Sequence, residues 1–172
     1  MEALIVYESM FGNTRRVAEA IRDGLASRYS VELVEVGAAT RNVGEDIELL
    51  VVGGPTHAFS MSRQSTRQTA IEQGASPEVA HQGIREWLEG IDAGRRPPLA
   101  AAFDTRVDKP RLPGSAAKSA ARRLRRLGMT VTLPPESFRV DGMTGPLVEG
   151  ELDRARRWGE LLAAQLTSSR VV

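Results

Sequence analysis

The sequence predicts an α/β protein in which helices cover both faces of a parallel sheet. Continuous apolar runs bounded by turn residues recur along the chain, and such runs are typical of strands that are buried on both faces of a parallel sheet. Segments with helical periodicity separate the runs. Because right-handed crossovers join consecutive parallel strands, this alternation favours one sheet between two layers of helices.

The composition agrees with this fold class and excludes several others. The 172 residues, of which 41% are hydrophobic and 26% charged, suit one globular unit, so we expect a single domain over residues 1–172. The absence of cysteine excludes disulfides, thiolate metal sites and cysteine nucleophiles. No signal-peptide pattern and no apolar stretch of spanning length is present, so we expect a cytoplasmic protein without a membrane span. The net charge of +1 gives no indication of nucleic-acid binding.

Five strands are predicted from the apolar runs, in chain order at residues 3–7, 31–36, 47–52, 99–103 and 129–133. Helices are predicted between and after them from apolar residues at helical spacing, in segments centred on Ile21, Leu88, Ala121 and Gly159. A short helix over residues 66–74 and a turn at Ser76 and Pro77 are predicted in the third connection. Residues 134–146 are predicted to form an irregular last strand and a loop on the ligand side.

Three loops follow the first, third and fourth predicted strands, at residues 8–14, 53–62 and 104–115. Open α/β sheets bind ligands at the carboxyl ends of their strands. The first loop reads ESMFGNT and leads directly into a helix. Its backbone N–H groups and hydroxyls, with the helix dipole behind them, favour an anion site suited to phosphate. The alternative is that Asn13 or Thr14 merely caps the helix.

Two phosphate-binding motifs are absent from this loop. It contains no lysine, so it does not match the loop of nucleoside triphosphatases, and it lacks the glycine pattern of dinucleotide-binding folds. Gly12 can adopt a backbone conformation that other residues avoid, and Ser9 and Thr14 can donate hydroxyl hydrogen bonds. The loop therefore gives no support to a nucleoside triphosphatase or to a dinucleotide-binding fold.

Three segments together resemble the flavodoxin-like family, in order and over nearly the whole chain: LIVYESMFGNTRRVAEAI, LLVVGGPTHAFSMS and LAAAFDTRV. The resemblance implies a three-layer sandwich with a five-stranded parallel sheet in the order 2-1-3-4-5 and FMN at its carboxyl edge. The loop SMFGNT is most similar to the flavodoxin domains of flavodiiron proteins, because Phe11 stands where flavodoxins usually have a second hydroxyl.

By this resemblance, three groups of residues would bind FMN. The phosphate would be wrapped by Ser9, Met10, Phe11, Gly12, Asn13 and Thr14. The isoalloxazine would be flanked on one side by Pro55, Thr56, His57, Ala58 and Phe59, and on the other by Asp104, Thr105, Arg106 and Val107. No catalytic residue and no metal ligand is predicted.

The side chains near the predicted flavin differ from those of typical flavodoxins. Tyrosine or tryptophan usually stacks on the ring, whereas here Phe59 or Met61 is expected to cover it, or Phe59 is a core or lid residue. The loops offer Asp104 against His57, Arg106 and Lys109. Because a nearby cation stabilises negative charge on a reduced flavin, we hypothesise a raised midpoint potential.

The sequence leaves three functions open. The first is an FMN-binding redox protein that transfers electrons to a partner protein. The second is an FMN-dependent enzyme similar to NAD(P)H:quinone oxidoreductases, with nicotinamide and quinone as small-molecule partners, and the third is a flavin-free interaction or regulatory module. For each of these three functions, the sequence is compatible with a homo-oligomer. The basic segment 118–128 suits docking to an acidic partner or an anionic lipid or, more commonly, a solvated helix face.

Overall fold

The structure is a computed structural model that describes residues 1–168, without the side chains of residue 80 and residues 166–168. Residues 169–172 lie outside the described residues, so the predicted unit over 1–172 can be followed as far as Ser168. Within this range, no helix has both the length and the apolar character needed to cross a membrane.

Seven strands and five α-helices are found in the described part of the chain. In chain order they are β1 (Glu2–Tyr7), α1 (Asn13–Leu25), β2 (Ser30–Glu35), β3 (Ile47–His57), β4 (Ser60–Met61), α2 (Gln64–Glu72), α3 (Ile84–Gly90), β5 (Leu99–Val107), α4 (Ala116–Arg126), β6 (Thr130–Val131), β7 (Glu136–Val140) and α5 (Glu151–Ser168). Short 3-10 helices occupy Val36–Ala38 and Pro77–Ala80.

The sheet has the order β2-β1-β3-β5-β6, and these neighbouring strands are parallel. The five strands are the five predicted ones, so the order 2-1-3-4-5 is confirmed. Two additional strands lie off this path: β4 pairs antiparallel with the end of β3, and β7 pairs in parallel with β5.

Two strands run further than predicted, because pairing continues beyond the apolar runs. The strand β3 extends to His57, where its last residues pair with β4, and β5 extends to Val107, where residues 103–107 pair with β7. The predicted loops at 53–62 and 104–115 therefore begin as strand. The fifth predicted strand is shorter than expected, with only Thr130 and Val131 in β6, and the irregular strand predicted after it is β7.

The predicted short helix over 66–74 begins and ends two residues earlier, as α2. After it, the turn expected at Ser76 and Pro77 leads into a 3-10 helix. The helix α4 begins after Ser115, whose Oγ accepts a hydrogen bond from the Lys118 N–H at 3.2 Å. Ser115 is thus an N-cap, as its position after Pro113 and Gly114 predicts.

Two apolar layers cover the two faces of the sheet. Alternate residues of β1 point to opposite faces, so Leu4 and Val6 pack with α3 and α4, while Ala3 and Ile5 pack with α1 and α5. Each fully buried valine, leucine or isoleucine side chain contributes about 1.5 to 3 kcal/mol of hydrophobic stabilisation. Burial on both faces holds the strand ends in register and so fixes the position of the loops at the carboxyl edge.

Candidate functional site

A cavity of about 360 Å³ lies at the carboxyl ends of β1, β3 and β5. Its volume is in the range of small-molecule sites. Because these three strands are parallel neighbours, the segments that follow them meet at one edge. Residues from all three predicted loops line the cavity: Ser9, Met10, Phe11, Asn13, Thr14, Pro55, Thr56, His57, Ala58, Thr105, Arg106 and Val107.

The first wall of the cavity is the loop between β1 and α1. Gly12 precedes α1 with a φ of 91°, in the left-handed region. The Ser9 Oγ accepts hydrogen bonds from the N–H groups of Gly12 (3.1 Å) and Arg15 (3.3 Å). The first N–H groups of a helix have no acceptor within it. Those of Asn13 and Thr14 lie at the positive end of the α1 dipole, which favours an anionic ligand.

The alternative reading of Asn13 and Thr14 as helix caps does not hold. The helix has no side-chain cap at its N-cap residue. The Asn13 Nδ2 donates to the Thr144 carbonyl at 3.1 Å, and the Thr14 hydroxyl hydrogen-bonds the Thr105 hydroxyl at 2.7 Å. Asn13 therefore connects the loop to the segment after β7, and Thr14 connects it to the end of β5.

The second wall is the end of β3 and the turn after it. Pro55, Thr56, His57 and Ala58 line the cavity. The His57 Nδ1 lies 3.2 Å from the Thr66 Oγ1. Burial and the nearby Arg67 guanidinium lower the pKa of His57, so this imidazole is neutral near pH 7.

The third wall is the end of β5. With His57 neutral, Arg106 is the one charged side chain among the described lining residues. The Arg106 Nη2 donates a hydrogen bond to the Leu112 carbonyl at 2.6 Å. Lys109 is exposed and does not line the cavity. The hypothesis of a raised midpoint potential rests on the charges near the predicted flavin. Of these charges, only that of Arg106 lines the cavity.

Asp104 is fully buried and does not line the cavity. Its Oδ2 accepts hydrogen bonds from the Ser115 hydroxyl (2.5 Å), the Ala117 N–H (3.0 Å) and the Thr56 hydroxyl (3.1 Å). The carboxylate therefore ties the start of α4 to β3 and β5. Its place after an apolar strand gave no sign that it would point into the protein.

Two further predicted contacts, Gly12 and Phe59, do not line the cavity. The Phe59 side chain is 54% exposed. Met61, the other residue expected to cover the ring, is buried in the core beside α3 and α4. Met10 and Phe11 are the large apolar side chains of the first loop that line the cavity instead.

The sequence reasoning missed a fourth wall, which is formed by α2. Thr66 and Thr69 of α2 line the cavity together with Gln73, which directly follows the helix as its C-cap residue. Their spacing of three and four residues places them on one face of the helix. That polar face was visible in the sequence, but nothing showed that the helix would turn it toward the cavity. Other lining residues that were not predicted are Ala70, Leu112, Val140, Gly142 and Met143.

A buried polar network holds α2 in place beside the cavity. Arg67 of α2 is 2% exposed and donates to the Ser62 Oγ at 2.9 Å and the Glu86 Oε1 at 2.7 Å. Glu8, at the end of β1, accepts a hydrogen bond from the Ile84 N–H at 2.7 Å. Burial raises the pKa of Glu8, although Ser62, Ile84 and Arg67 act in the opposite direction.

This strand order defines a doubly wound α/β protein. The cavity lies at the topological switch point, where the strand order changes direction between β1 and β3, and proteins of this class bind ligands at that point. Solved structures identify the fold more closely. A flavodoxin from the domain Archaea is 21% identical and covers 97% of this chain and 99% of its own, with a TM-score of 0.63. The Streptococcus pneumonia TIGR4 flavodoxin is 16% identical and covers 96% and 99%, with a TM-score of 0.67.

The flavodiiron protein from Giardia intestinalis is also similar in structure. It is 18% identical and covers 97% of this chain, which spans 36% of that longer protein, with a TM-score of 0.60. These likenesses show that the chain has the flavodoxin-like fold. No protein-family profile matches the sequence, and no curated protein matches it.

Proposed function

We propose that this chain is an FMN-binding redox protein in which electrons pass through the flavin at the carboxyl edge of the sheet. We also propose that residues 1–172 form one flavodoxin-like domain. One observation carries this function: the loop 9–14 and the amino end of α1 face a cavity whose other walls include the ends of β3 and β5. The flavodoxins and the flavodiiron protein of similar fold support this assignment.

The first loop fits a phosphate group. The Ser9 oxygen accepts two backbone N–H groups, so the hydroxyl hydrogen is available for donation to a ligand. The N–H groups of Asn13 and Thr14, which have no acceptor within α1, add donors that favour an anion. We propose that Ser9, Met10, Phe11, Gly12, Asn13 and Thr14 hold the FMN phosphate, with the phenyl ring of Phe11 in place of one hydroxyl.

The other walls suit a flat, partly apolar ring. Pro55, Thr56, His57, Ala58 and Phe59 on β3 and its turn, and Asp104, Thr105, Arg106 and Val107 on β5, are proposed to position the isoalloxazine, with Phe59 and Asp104 acting from outside the cavity lining. When bound, FMN supplies one-electron or two-electron redox chemistry. Among the described lining residues there is a cation, Arg106, and no carboxylate.

That charge distribution supports the hypothesis of a raised midpoint potential. A cation facing the cavity stabilises the negative charge that arrives with electrons, and a neutral His57 adds none. A potential as low as the roughly −400 mV of plant-type ferredoxins would contradict the hypothesis.

An FMN-dependent NAD(P)H:quinone oxidoreductase is the second candidate function. The polar face of α2 supports it, because Thr66, Thr69 and Gln73 extend the cavity beyond the three loops assigned to the flavin. Steady-state oxidation of NADH or NADPH with a quinone distinguishes the two functions, since an electron carrier shows negligible turnover without a reductase.

Titration of the purified protein with FMN tests the proposed function. We expect one FMN per chain, with quenched flavin fluorescence and a shifted absorption spectrum. Substitution of Thr14 by valine keeps the shape of the side chain and removes its hydroxyl, so it should weaken binding by about 1 kcal/mol, or roughly fivefold. A flavin-free protein that also fails to bind added FMN would instead support an interaction or regulatory module.

A further inference from the structure

The mouth of the cavity displays large apolar side chains to solvent. Phe59 is 54% exposed, Leu112 52% and Met143 66%, and they come from three separate segments of the chain. Leu112 and Met143 line the cavity, and Phe59 follows the lining residue Ala58. Clustered apolar exposure at one site is a mark of an interaction surface, whereas scattered exposed residues are ordinary. We call residues 58–60, Arg63, residues 106–112 and residues 141–144 the mouth surface, and Met61 and Ser62, which are buried, are not part of it.

The backbone that displays Phe59 is strained. Ala58 and Phe59 have φ angles of 45° and 72°, in the left-handed region that residues with a Cβ atom rarely adopt. The segment around Gly114 packs closely on the Phe59 backbone and supports this conformation, since a Cβ at Gly114 would overlap the Phe59 carbonyl. Strain maintained by surrounding structure is common where a side chain has a function. Here the strained backbone leaves the aromatic ring of Phe59 exposed to water.

The charges of the mouth surface are mainly positive. Arg63, Arg106, Lys109 and Arg111 are its four cations, and Asp108 and Asp141 are its two carboxylates. The Arg106 guanidinium binds the Leu112 carbonyl, next to one of the exposed apolar side chains. Arg111 is 73% exposed and only loosely paired with Asp108, at 3.5 Å. The net charge of +2 exceeds the +1 of the entire chain.

We propose that the mouth surface docks an acidic protein, with an apolar patch on the partner meeting Phe59, Leu112 and Met143. The cations attract and orient the partner, and the apolar centre supplies contact area. The four cations only just reach the four to eight basic residues of clusters that bind anionic membranes, and the two carboxylates among them reduce the attraction to such a surface, so a protein fits better. The proposal names the partner of the proposed flavin site and rests on that function for its purpose, although docking itself requires no cofactor.

Binding of a defined acidic protein tests this proposal. The probe is a dye-labelled plant-type [2Fe–2S] ferredoxin, followed by fluorescence anisotropy with the FMN-free and the FMN-supplemented protein, and the basic protein cytochrome c is the charge control. We expect saturable ferredoxin binding at about 20 mM salt that weakens at least tenfold by about 200 mM. Cytochrome c should bind at least tenfold more weakly than ferredoxin at low salt.

Three variants locate the surface. The double substitution Lys109→Glu and Arg111→Glu should weaken ferredoxin binding at least tenfold. Phe59→Asn should weaken it about fivefold, and asparagine tolerates the left-handed backbone, so the turn is kept. Arg125→Glu is the matched control, because Arg125 is exposed at the end of α4 and precedes β6, at the opposite edge of the sheet. It should change binding less than twofold, and circular dichroism checks the fold of each variant.

Several results would overturn the proposal: no ferredoxin binding, equal loss in the Arg125→Glu control, or binding to phosphatidylserine vesicles without binding to ferredoxin. The FMN titration is carried out separately on the same samples. Failure to bind FMN counts against the flavin function alone, since ferredoxin binding is still measured. Failure to bind ferredoxin counts against docking alone.

Discussion

Gly12 shows, at the scale of one residue, how the loop 9–14 depends on backbone conformation. Its φ of 91° places it in the left-handed region, and a Cβ built there meets nothing within 4 Å. A side chain would therefore strain the backbone without any steric clash. This makes Gly12 a clean position for testing whether the loop conformation matters for binding.

We predict that Gly12→Ala destabilises the protein by about 1 kcal/mol, the approximate cost of a left-handed residue with a Cβ, and also weakens FMN binding. Gly94→Ala is the matched control. Gly94 has a φ of 70° with nothing within 4 Å of a built Cβ, and it precedes β5 at the other edge of the sheet. Urea unfolding should show similar losses for both variants, and equal FMN affinities would show that the loop conformation is unimportant.

Glu8 is the second single residue with a specific consequence, because its carboxyl is buried next to the loop 9–14. Burial raises its pKa in the folded state, so the folded chain holds this proton more tightly than the unfolded chain. The stability contributed by the protonated group is complete below the unfolded pKa of about 4.3 and is lost as pH rises through the folded pKa.

We predict that wild type loses stability relative to Glu8→Gln as pH rises above about 4.3, with a slope of at most about 1.4 kcal/mol per pH unit. Urea unfolding of both proteins over a pH series measures this difference. Other groups, including His57, titrate in both proteins and cancel in the comparison. Parallel stability curves would show that Glu8 has the same pKa in the folded and unfolded chains.

At the scale of elements, α2 is the wall that depends most on a single anchor. Arg67 connects it to Ser62 and to Glu86 of α3. Its apolar contacts belong to a small cluster of Met10, Ala70 and Ala75, against which Phe11, Ile71 and Val79 pack while partly exposed. Little apolar area holds this helix, so removal of the guanidinium should loosen it before the rest of the fold.

We predict that Arg67→Ala lowers the free energy of unfolding by about 2 to 3 kcal/mol, because buried hydrogen-bonding groups lose their partner. Hydrogen exchange should increase most in residues 64–72. Arg15→Ala removes an exposed ion pair with Glu19 and should cost about 0.5 kcal/mol or less. Unchanged exchange in α2 would mean that its apolar contacts alone hold the helix.

The elements also show what the sequence could and could not predict. Apolar runs and helical spacing identified the five strands of the main path, because burial on both faces leaves a clear pattern. The ends of β3 and β5 were missed, since their last residues are strand only through pairing with β4 and β7. Such pairing joins residues distant in sequence and leaves no local pattern.

For the whole molecule, the fold followed from alternation and resemblance, and the solved flavodoxins share it. Three loops were predicted to meet at one edge, and the cavity brings residues of all three together. The inward turn of Asp104 and the outward turn of Phe59 were not predictable, because each depends on contacts made by a neighbouring segment, α4 for one and the Gly114 segment for the other.

We propose that the loop 9–14 holds the phosphate of FMN in this cavity. Amide chemical shifts recorded during titration with FMN, and separately with riboflavin, test this binding mode because riboflavin lacks the phosphate. We predict that FMN shifts the amides of residues 10–14 most strongly and that riboflavin leaves them nearly unchanged while binding at least about tenfold more weakly. Equal affinity for the two flavins, or FMN-induced shifts confined to other segments, would contradict the claim.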